Sequence, residues 1–309
     1  MRVYNDIMDF AHKAKTVVTL GTFDGVHTGH KILLHRLSQA SAALQCESVV
    51  LTFFPHPRMV LQQGSEFKLL NTMTEKAALL EAEGVDNLII HPFSLEFSRL
   101  TAEEFVKDIL VDKLNVAKII IGHDHRFGRN RTADTQDLIE MGKEYGFEVE
   151  QISAYEVQQT PVSSTKVRNA LATGNIQLAN EFLGYPYFIT GTVTQGKQLG
   201  RTIGFPTANI KPLEDYKLIP ANGVYTASAE INGKTVYGML NIGVRPTVDG
   251  TYQTIEVNFF DFDADIYNAE IKLNLHSRLR DEQKFPSLDA LKAQLHNDKE
   301  NATAYFKNL

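Results

Sequence analysis

The sequence contains no tryptophan and a single cysteine, Cys46. One cysteine excludes internal disulfides and cysteine-rich zinc sites. No apolar run approaches the roughly 20 residues of a membrane-spanning helix, and residues 1–6 lack the apolar segment of a signal peptide. The formal net charge of -6 gives no support for nucleic acid as the main partner. These absences predict a cytoplasmic protein that binds neither membranes nor nucleic acids, and they leave self-association open.

A length of 309 residues predicts two domains. In the first part, helical patterns alternate with short apolar segments, which predicts a parallel sheet with helices on both faces. The predicted strands are Thr16–Leu20, Ser48–Phe54, Asn87–Ile90, Ala117–Ile121 and Phe147–Ile152. From Phe188 onward the segments are short, β-branched and alternating, which predicts an antiparallel barrel with helical segments after Ser287. The predicted domains are therefore 1–184 and 185–309.

Residues 21–30, Gly-Thr-Phe-Asp-Gly-Val-His-Thr-Gly-His, join the first of these strands to a helix over 31–44. We call them the histidine turn. The free N–H groups at a helix start favour a phosphate, and His27 and His30 add two imidazoles that can stabilise growing charge. Ordinary turn chemistry is the alternative. The G-x-G-x-x-G and Walker A patterns do not fit this segment.

The histidine turn resembles the H-x-G-H signature of the nucleotidyltransferase superfamily. In the form G-x-F-D-G-V-H-x-G-H it resembles the adenylyltransferase half of bacterial FAD synthetases. The resemblance implies a Rossmann-like domain that transfers AMP from ATP to FMN, with His27 and His30 as catalytic residues. It extends to the loop 122–128 and to the run 162–168, which is similar to I-S-S-T-x-x-R. The ATP-binding residues implied in this way are Gly21, Phe23, Asp24, Gly29, Asp124, Ser164 and Arg168.

Several polar segments have simpler interpretations. Ser163 and Ser164 could only cap the helix that follows them. His123 and His125 invite a zinc interpretation, which we consider weaker than phosphate binding at the histidine turn. The acidic run 261–265 begins like a calcium loop but lacks the required glycine and glutamate, which predicts an acidic turn instead.

A second motif, Gly-Phe-Pro-Thr-Ala-Asn at 204–209, resembles the G-x-P-T-A-N motif of riboflavin kinases. Glycines and basic residues in 196–204 suit a phosphate-binding loop. Thr207 and Asn209 are two apart, so on a strand both oxygens face the same side, where they could bind Mg²⁺. The resemblance makes these two the metal residues as well as nucleotide or flavin ligands. It adds, for nucleotide or flavin binding, Gly196, Lys197, Gly200, Arg201, Gly204, Pro206, Asn241 and Arg245.

Glu256 lies in an alternating strand, where a carboxylate most often faces solvent. By resemblance it is the general base of the kinase. Both motif sets occur in the order found in prokaryotic bifunctional riboflavin kinase/FMN adenylyltransferases. This implies phosphorylation of riboflavin to FMN and then formation of FAD, with ATP as co-substrate and Mg²⁺ as cofactor. One alternative is an active kinase whose N-terminal domain is a regulatory module that only binds nucleotide or flavin. A cytidylyltransferase or pantetheine-phosphate adenylyltransferase would leave residues 186–309 unexplained.

Overall fold

The chain folds into two compact units, Met1–Ser163 (unit 1) and Ser164–Leu309 (unit 2). A computed structural model describes residues 1–11, 14–62, 66–122, 126–152, 162–196, 199–247 and 250–308. The functional boundary near Gly184 stays a prediction. By contacts, the segment 164–183 groups with the barrel that follows it.

Unit 1 alternates strands and helices. The strands are β1 (Arg2–Tyr4), β2 (Thr16–Leu20), β3 (Glu47–Phe54), β4 (Asn87–Pro92), β5 (Val116–Ile121) and β6 (Glu148–Gln151). The helices are α1 (Thr28–Leu44), α2 (Pro57–Leu61), α3 (Met73–Ala82), α4 (Ala102–Glu104, continued by a π-helix over Phe105–Val111) and α5 (Thr135–Tyr145). Short 3₁₀ turns lie at Ile7–Asp9, Phe97–Arg99 and Arg129–Arg131.

The six strands of unit 1 form a parallel sheet in the order β1-β4-β3-β2-β5-β6. The chain moves outward from β2 to β3 and β4, and then returns to the other side of β2 as β5. Such a reversal opens a crevice at the carboxyl ends of the two central strands, where ligands bind in open α/β sheets. The histidine turn follows β2 and therefore lies at this crevice.

Helices cover both faces of the sheet because neighbouring strand residues point to opposite sides. Val17 belongs to the core that includes Leu34 of α1 and Leu80 of α3. Val18 belongs to the opposite core, which includes Phe105 of the π-helix. The predicted architecture is confirmed.

Unit 2 is a closed antiparallel barrel with helices at both ends of its sequence. The strands are β7 (Tyr187–Thr194), β8 (Ala208–Pro212), β9 (Gly223–Ile231), β10 (Lys234–Thr247), β11 (Gly250–Phe259) and β12 (Glu270–Arg280). The helices are α6 (Ser164–Ala172), α7 (Ile176–Leu183), α8 (Leu199–Thr202) and α9 (Leu288–Lys307). The strand order around the barrel is β10-β11-β8-β7-β12-β9. The predicted barrel and terminal helix are confirmed.

Local sequence signals explain how this barrel is assembled. Asn232 and Gly233, with φ of 53° and 72°, form the tight turn between β9 and β10. Asn180 of α7 donates to the carbonyl of Leu275 at 2.9 Å and accepts from the N–H of Tyr187 at 2.6 Å. These two bonds attach α7 to strands β12 and β7. Across the described ranges, no helix has both the length and the apolar character needed to cross a membrane.

Candidate active sites

The histidine turn has an unusual backbone. Phe23, Gly25 and Val26 have φ of 43°, 91° and 36°, so the chain makes a compact left-handed path between β2 and α1. Gly25 is the residue type that adopts this region without strain. The side chains of Phe23 and Val26 point into the core and are at most 2% exposed. The turn is therefore anchored by apolar burial, which fixes the start of α1.

His27 is the N-cap of α1. Its Nδ1 accepts a hydrogen bond from the backbone N–H of His30 at 3.3 Å. In the neutral ring, an accepting Nδ1 leaves the proton on Nε2. The rings of His27 and His30 stack with centroids 3.7 Å apart and planes at 14°. The cap thus fixes the tautomer of His27 and makes its Nε2 a hydrogen-bond donor.

Both imidazoles are uncharged at neutral pH. Burial lowers the pKa of His27 to about 4. Burial also lowers the pKa of His30 well below its ordinary value, and the charges of His27 and Lys76 act in the same direction. The two histidines therefore offer neutral N–H donors to a phosphate, rather than cations.

A buried polar cluster supports the turn from beneath. Lys76 of α3 donates from Nζ to the carbonyl of Thr22 at 2.7 Å, and Thr52 of β3 donates to the same oxygen at 3.2 Å. Asp24 accepts from the backbone N–H of Leu70 at 2.9 Å. Burial lowers the pKa of Lys76 to about 8, and the charge of Asp24 opposes this effect. The sequence does not reveal the role of Lys76, because a lysine in a helical pattern normally faces solvent.

The other residues predicted for the adenylyltransferase site lie in several parts of the chain. Gly21 follows β2 and donates its N–H to Leu51 at 3.1 Å. A Cβ at Gly29 would lie 3.2 Å from Val162 and 3.3 Å from the His27 ring, which explains a glycine there. Asp124, with His123 and His125, lies outside the described residues. Ser164 and Arg168 lie on α6 in unit 2. ATP binding by all these residues, and by Phe23 and Asp24, stays a prediction.

In unit 2, strand pairing aligns three of the predicted kinase residues. Glu256 of β11 is opposite Asn209 of β8 on one side and Asn241 of β10 on the other. Residues directly opposite each other in a sheet share a face. The hydroxyl of Thr207 donates to the Glu256 carboxylate at 3.5 Å. The structure thus brings together the carboxylate and the oxygens that the sequence motifs indicate.

A cavity of about 410 Å³ adjoins this row of side chains. Thr207, Asn241 and Glu256 are in its wall, and the apolar part is formed mainly by side chains of β9, β10 and α9. A second cavity of about 440 Å³ has Pro206, the acidic turn and Lys299 in its wall. Small-molecule sites have such volumes and mixed walls.

The glycines of the kinase motif allow close backbone contacts. Phe205 donates its N–H to the carbonyl of Gly200 at 2.8 Å, and a Cβ at Gly200 would lie 2.2 Å from the carbonyl oxygen of Phe205. A Cβ at Gly196 would lie 2.1 Å from the amide nitrogen of Asn209. Gly204 has a φ of +86°, a backbone conformation that glycine adopts more easily than other residues. The close contact with the Phe205 carbonyl therefore requires glycine at position 200, and the positive φ favours glycine at position 204.

Three further predicted residues are only partly placed. Arg201 is exposed at the end of α8. Arg245 lies on β10, but its side chain is outside the described part of the chain, as is all of Lys197. Nucleotide or flavin binding by these residues and by the loop glycines stays a prediction.

Sequence reasoning missed two contacts that shape this site. Asn258 donates to the carbonyl of Pro206 at 2.6 Å and so fixes the segment before β8. Arg280 of β12 binds both oxygens of Asp298 on α9, with N–O distances of 2.8–3.0 Å. Asp298 is 1% exposed. This ion pair attaches the helix that lines the cavity, and no local sequence signal connects residues so far apart.

The oxygen atoms of Thr207, Asn209 and Glu256 suit a hard cation such as Mg²⁺, which prefers oxygen ligands. Among the described residues, no group of three or more His, Cys, Asp or Glu side chains could hold a metal ion. Thr207 and Asn209 would bind through hydroxyl and amide oxygens, which that set of four residue types does not include. Binding of Mg²⁺ by them stays a prediction.

Similar proteins match the chain over nearly its full length. The model of the FAD synthetase family matches residues 9–166, and that of the riboflavin kinase family matches residues 183–306. A bifunctional riboflavin kinase/FMN adenylyltransferase from Escherichia coli K12 is 40% identical over 291 residues, which are 94% of this chain and 92% of that protein. A protein of the same name from Bacillus subtilis strain 168 is 37% identical over 303 residues, covering 96% and 94%.

A solved structure from Streptococcus pneumoniae, described as a macrolide-efflux protein, has the same fold. It matches with a TM-score of 0.89 and 34% identity, covering 97% of this chain and 98% of that one. His27 caps a helix that follows a strand, Asn209 pairs with Glu256 in the barrel, and the relatives cover both units. The chain therefore belongs to the family of bifunctional riboflavin kinase/FMN adenylyltransferases.

Proposed function

We propose that unit 2 phosphorylates riboflavin with ATP to give FMN, and that unit 1 then transfers AMP from a second ATP to FMN to give FAD and pyrophosphate. One observation carries the proposal. The carboxylate of Glu256 and the hydroxyl of Thr207 lie 3.5 Å apart at the wall of a cavity of about 410 Å³, in a chain that also has an imidazole-capped helix start.

In the kinase reaction, Glu256 acts as the general base. It takes the proton of the ribityl 5′-hydroxyl as that oxygen bonds to the γ-phosphorus of ATP, and the bond between this phosphorus and the β,γ-bridging oxygen breaks to release ADP. The loop from Gly196 to Gly204 would hold the phosphates through backbone N–H groups. Thr207 and Asn209 would hold Mg²⁺, which neutralises charge on the phosphates during transfer.

In the adenylyl transfer, a phosphate oxygen of FMN attacks the α-phosphorus of ATP, and pyrophosphate leaves. The nucleophile is already an anion and needs no strong base, so positioning and charge stabilisation carry the catalysis. The Nε2–H of His27 would bind the phosphates as charge grows on the leaving group, and the positive end of the α1 helix dipole would favour that charge. Asp124, Ser164 and Arg168 are further ATP-binding residues implied by the resemblance.

The test is a time course of the purified protein with riboflavin, ATP and Mg²⁺, with FMN and FAD separated by chromatography. FMN should rise first and then convert to FAD. His30→Ala should abolish FAD formation and leave FMN formation nearly intact, whereas Glu256→Ala should block FMN formation and still convert added FMN to FAD. A chelator that removes Mg²⁺ should stop the kinase step.

Two outcomes would contradict the proposal. If either substitution removed both activities from a folded protein, the two-site assignment would be wrong. If FMN accumulated without FAD, unit 1 would be a binding or regulatory module, which is the alternative raised by the sequence. A cytoplasmic location and any self-association also stay predictions.

A further inference from the structure

The histidine turn has a cation beneath it. Both imidazoles are neutral at pH 7 because burial lowers their pKa values. Lys76 is 1% exposed, and its ammonium group donates to the carbonyl of Thr22, which is within the turn itself. Its charge also acts on His30 of α1.

The position of this ammonium group is fixed by its surroundings. Thr72 and Glu75 form a complete capping box at the start of α3, with hydrogen bonds of 3.1 and 2.9 Å. The carbonyl of Thr22, which accepts from Lys76, also accepts from Thr52 of the neighbouring strand. A long flexible side chain is therefore held at both ends.

Burial of an ammonium group is costly, and an apolar side chain of similar length would fill the same space at lower cost. A purely structural role would therefore be better served by methionine. Asp24 compensates part of the cost, since its charge favours the protonated lysine. A phosphate-binding turn benefits from a buried positive charge because Coulomb interactions are stronger where water is excluded.

We propose that Lys76 is a positioning residue for adenylyl transfer, which fixes the Thr22 carbonyl and supplies positive charge beneath the histidine turn. The inference rests on the proposed activity of unit 1. Lys76 is buried beneath the turn and acts through the turn and its electrostatic field. Its removal should therefore weaken binding of ATP, whose phosphates the histidine turn would hold.

The experiment measures FMN-to-FAD conversion by the full chain at varied ATP. At an effective dielectric constant near 20 and a separation of roughly 10 Å, loss of one charge lowers binding about tenfold. Lys76→Met should therefore lower kcat/KM for ATP about tenfold, and Lys76→Arg should restore most of it. Lys143→Gln on α5, which changes an exposed lysine of the same unit, is the matched control and should have no effect. FMN formation by unit 2 should be unchanged in all variants.

The pH profile separates charge from packing, and it can be measured on the unsubstituted protein. In the described part of unit 1, the charged or titratable groups that interact electrostatically with Lys76 are Asp24 of the turn and His30 of α1. Glu75, the neighbour of Lys76 in sequence, is held in the capping box. Phosphate esters lose their second proton near pH 6, so the substrates do not titrate between pH 7.5 and 9.5. In that range kcat/KM for ATP should fall with a midpoint near pH 8. The fall should be absent in Lys76→Met.

A flat profile of the unsubstituted protein from pH 7.5 to 9.5 would overturn the inference, even if Lys76→Met failed to fold. A folded Lys76→Met with unchanged kcat/KM would do the same. If the unsubstituted protein formed no FAD at all, the proposed activity of unit 1 would be wrong. That outcome differs from FAD formation that does not depend on Lys76, which would contradict only the role of Lys76.

Discussion

Acidification should destabilise unit 1 through His27. Burial lowers the pKa of this imidazole from 6.5 to about 4 in the folded protein. The unfolded chain therefore binds the proton more readily, and stability is complete above pH 6.5 and is lost as the pH falls toward 4. The full difference of about 2.5 pH units corresponds to roughly 3 kcal/mol of unfolding free energy, of which about 2 kcal/mol is lost by pH 5.

The substitution His27→Asn isolates this effect. Asparagine is among the best N-cap residues, and its side-chain oxygen can accept the N–H of His30 in place of Nδ1. The variant should therefore keep the helix cap and lose the titration. Between pH 7 and pH 5, its unfolding free energy should fall by about 2 kcal/mol less than that of the unsubstituted protein.

Hydrogen exchange measured by mass spectrometry can follow each unit separately. Peptides covering β2 report on unit 1, and peptides covering β9 in unit 2 serve as an internal reference. The exposed His35 of α1 provides the control, because His35→Asn should leave the acid dependence unchanged. Equal losses of β2 protection at pH 5 in the unsubstituted protein and in His27→Asn would refute the reasoning.

Three further predictions concern stability and the kinase loop. Asp298→Asn leaves the partly buried guanidinium of Arg280 without its carboxylate partner, so unit 2 should lose about 2 kcal/mol, measured by thermal melting, and KM for riboflavin should rise. Gly200→Ala places a Cβ 2.2 Å from the Phe205 carbonyl oxygen, so FMN formation should fall while FAD formation from added FMN is unchanged; equal rates in both assays would contradict this. Thr72→Ala removes one bond of the capping box and should cost unit 1 about 1 kcal/mol in denaturant unfolding, whereas Ser38→Ala on the exposed face of α1 should cost much less.

Much of the fold could be predicted because its signals are local. The capping boxes at Thr72 and Thr101 both form the two hydrogen bonds expected from sequence spacing. The Asn232–Gly233 turn also lies where its dipeptide indicates. Local propensity and tertiary structure agree at these positions, which is what makes prediction from sequence possible.

Other features depend on distant residues. Strand β1 has only three residues, which is too short to show an alternating hydrophobic pattern. It forms by pairing with β4, far along the chain. Strand β8 lies between Pro206 and Pro212, which are residues that disfavour strands. It forms because it pairs with β7 and β11, which are distant in sequence. The helix that begins after Thr101 continues as a π-helix over Phe105–Val111, for which the sequence offers no local signal.

The candidate sites show the same division. Residue types and spacing point to His27, whereas Thr207 and Glu256 are indicated by the resemblance to riboflavin kinases. The neutral state of the histidines could not be predicted, because it follows from burial by the whole of unit 1. The burial of Lys76 was equally hidden, since its partner Thr22 is on a separate segment.

The open sheet of unit 1 ends in strands that are poor templates for pairing with another chain. Strand β6 carries Glu148 and Glu150, which form ion pairs with Lys118 of β5. A strand added at that edge would have to desolvate these charges, and the opposite edge, β1, offers only three residues. The barrel of unit 2 is closed and has no edge to offer. Among the described strands, none offers a long uncharged edge, so pairing of another chain with these sheets is disfavoured.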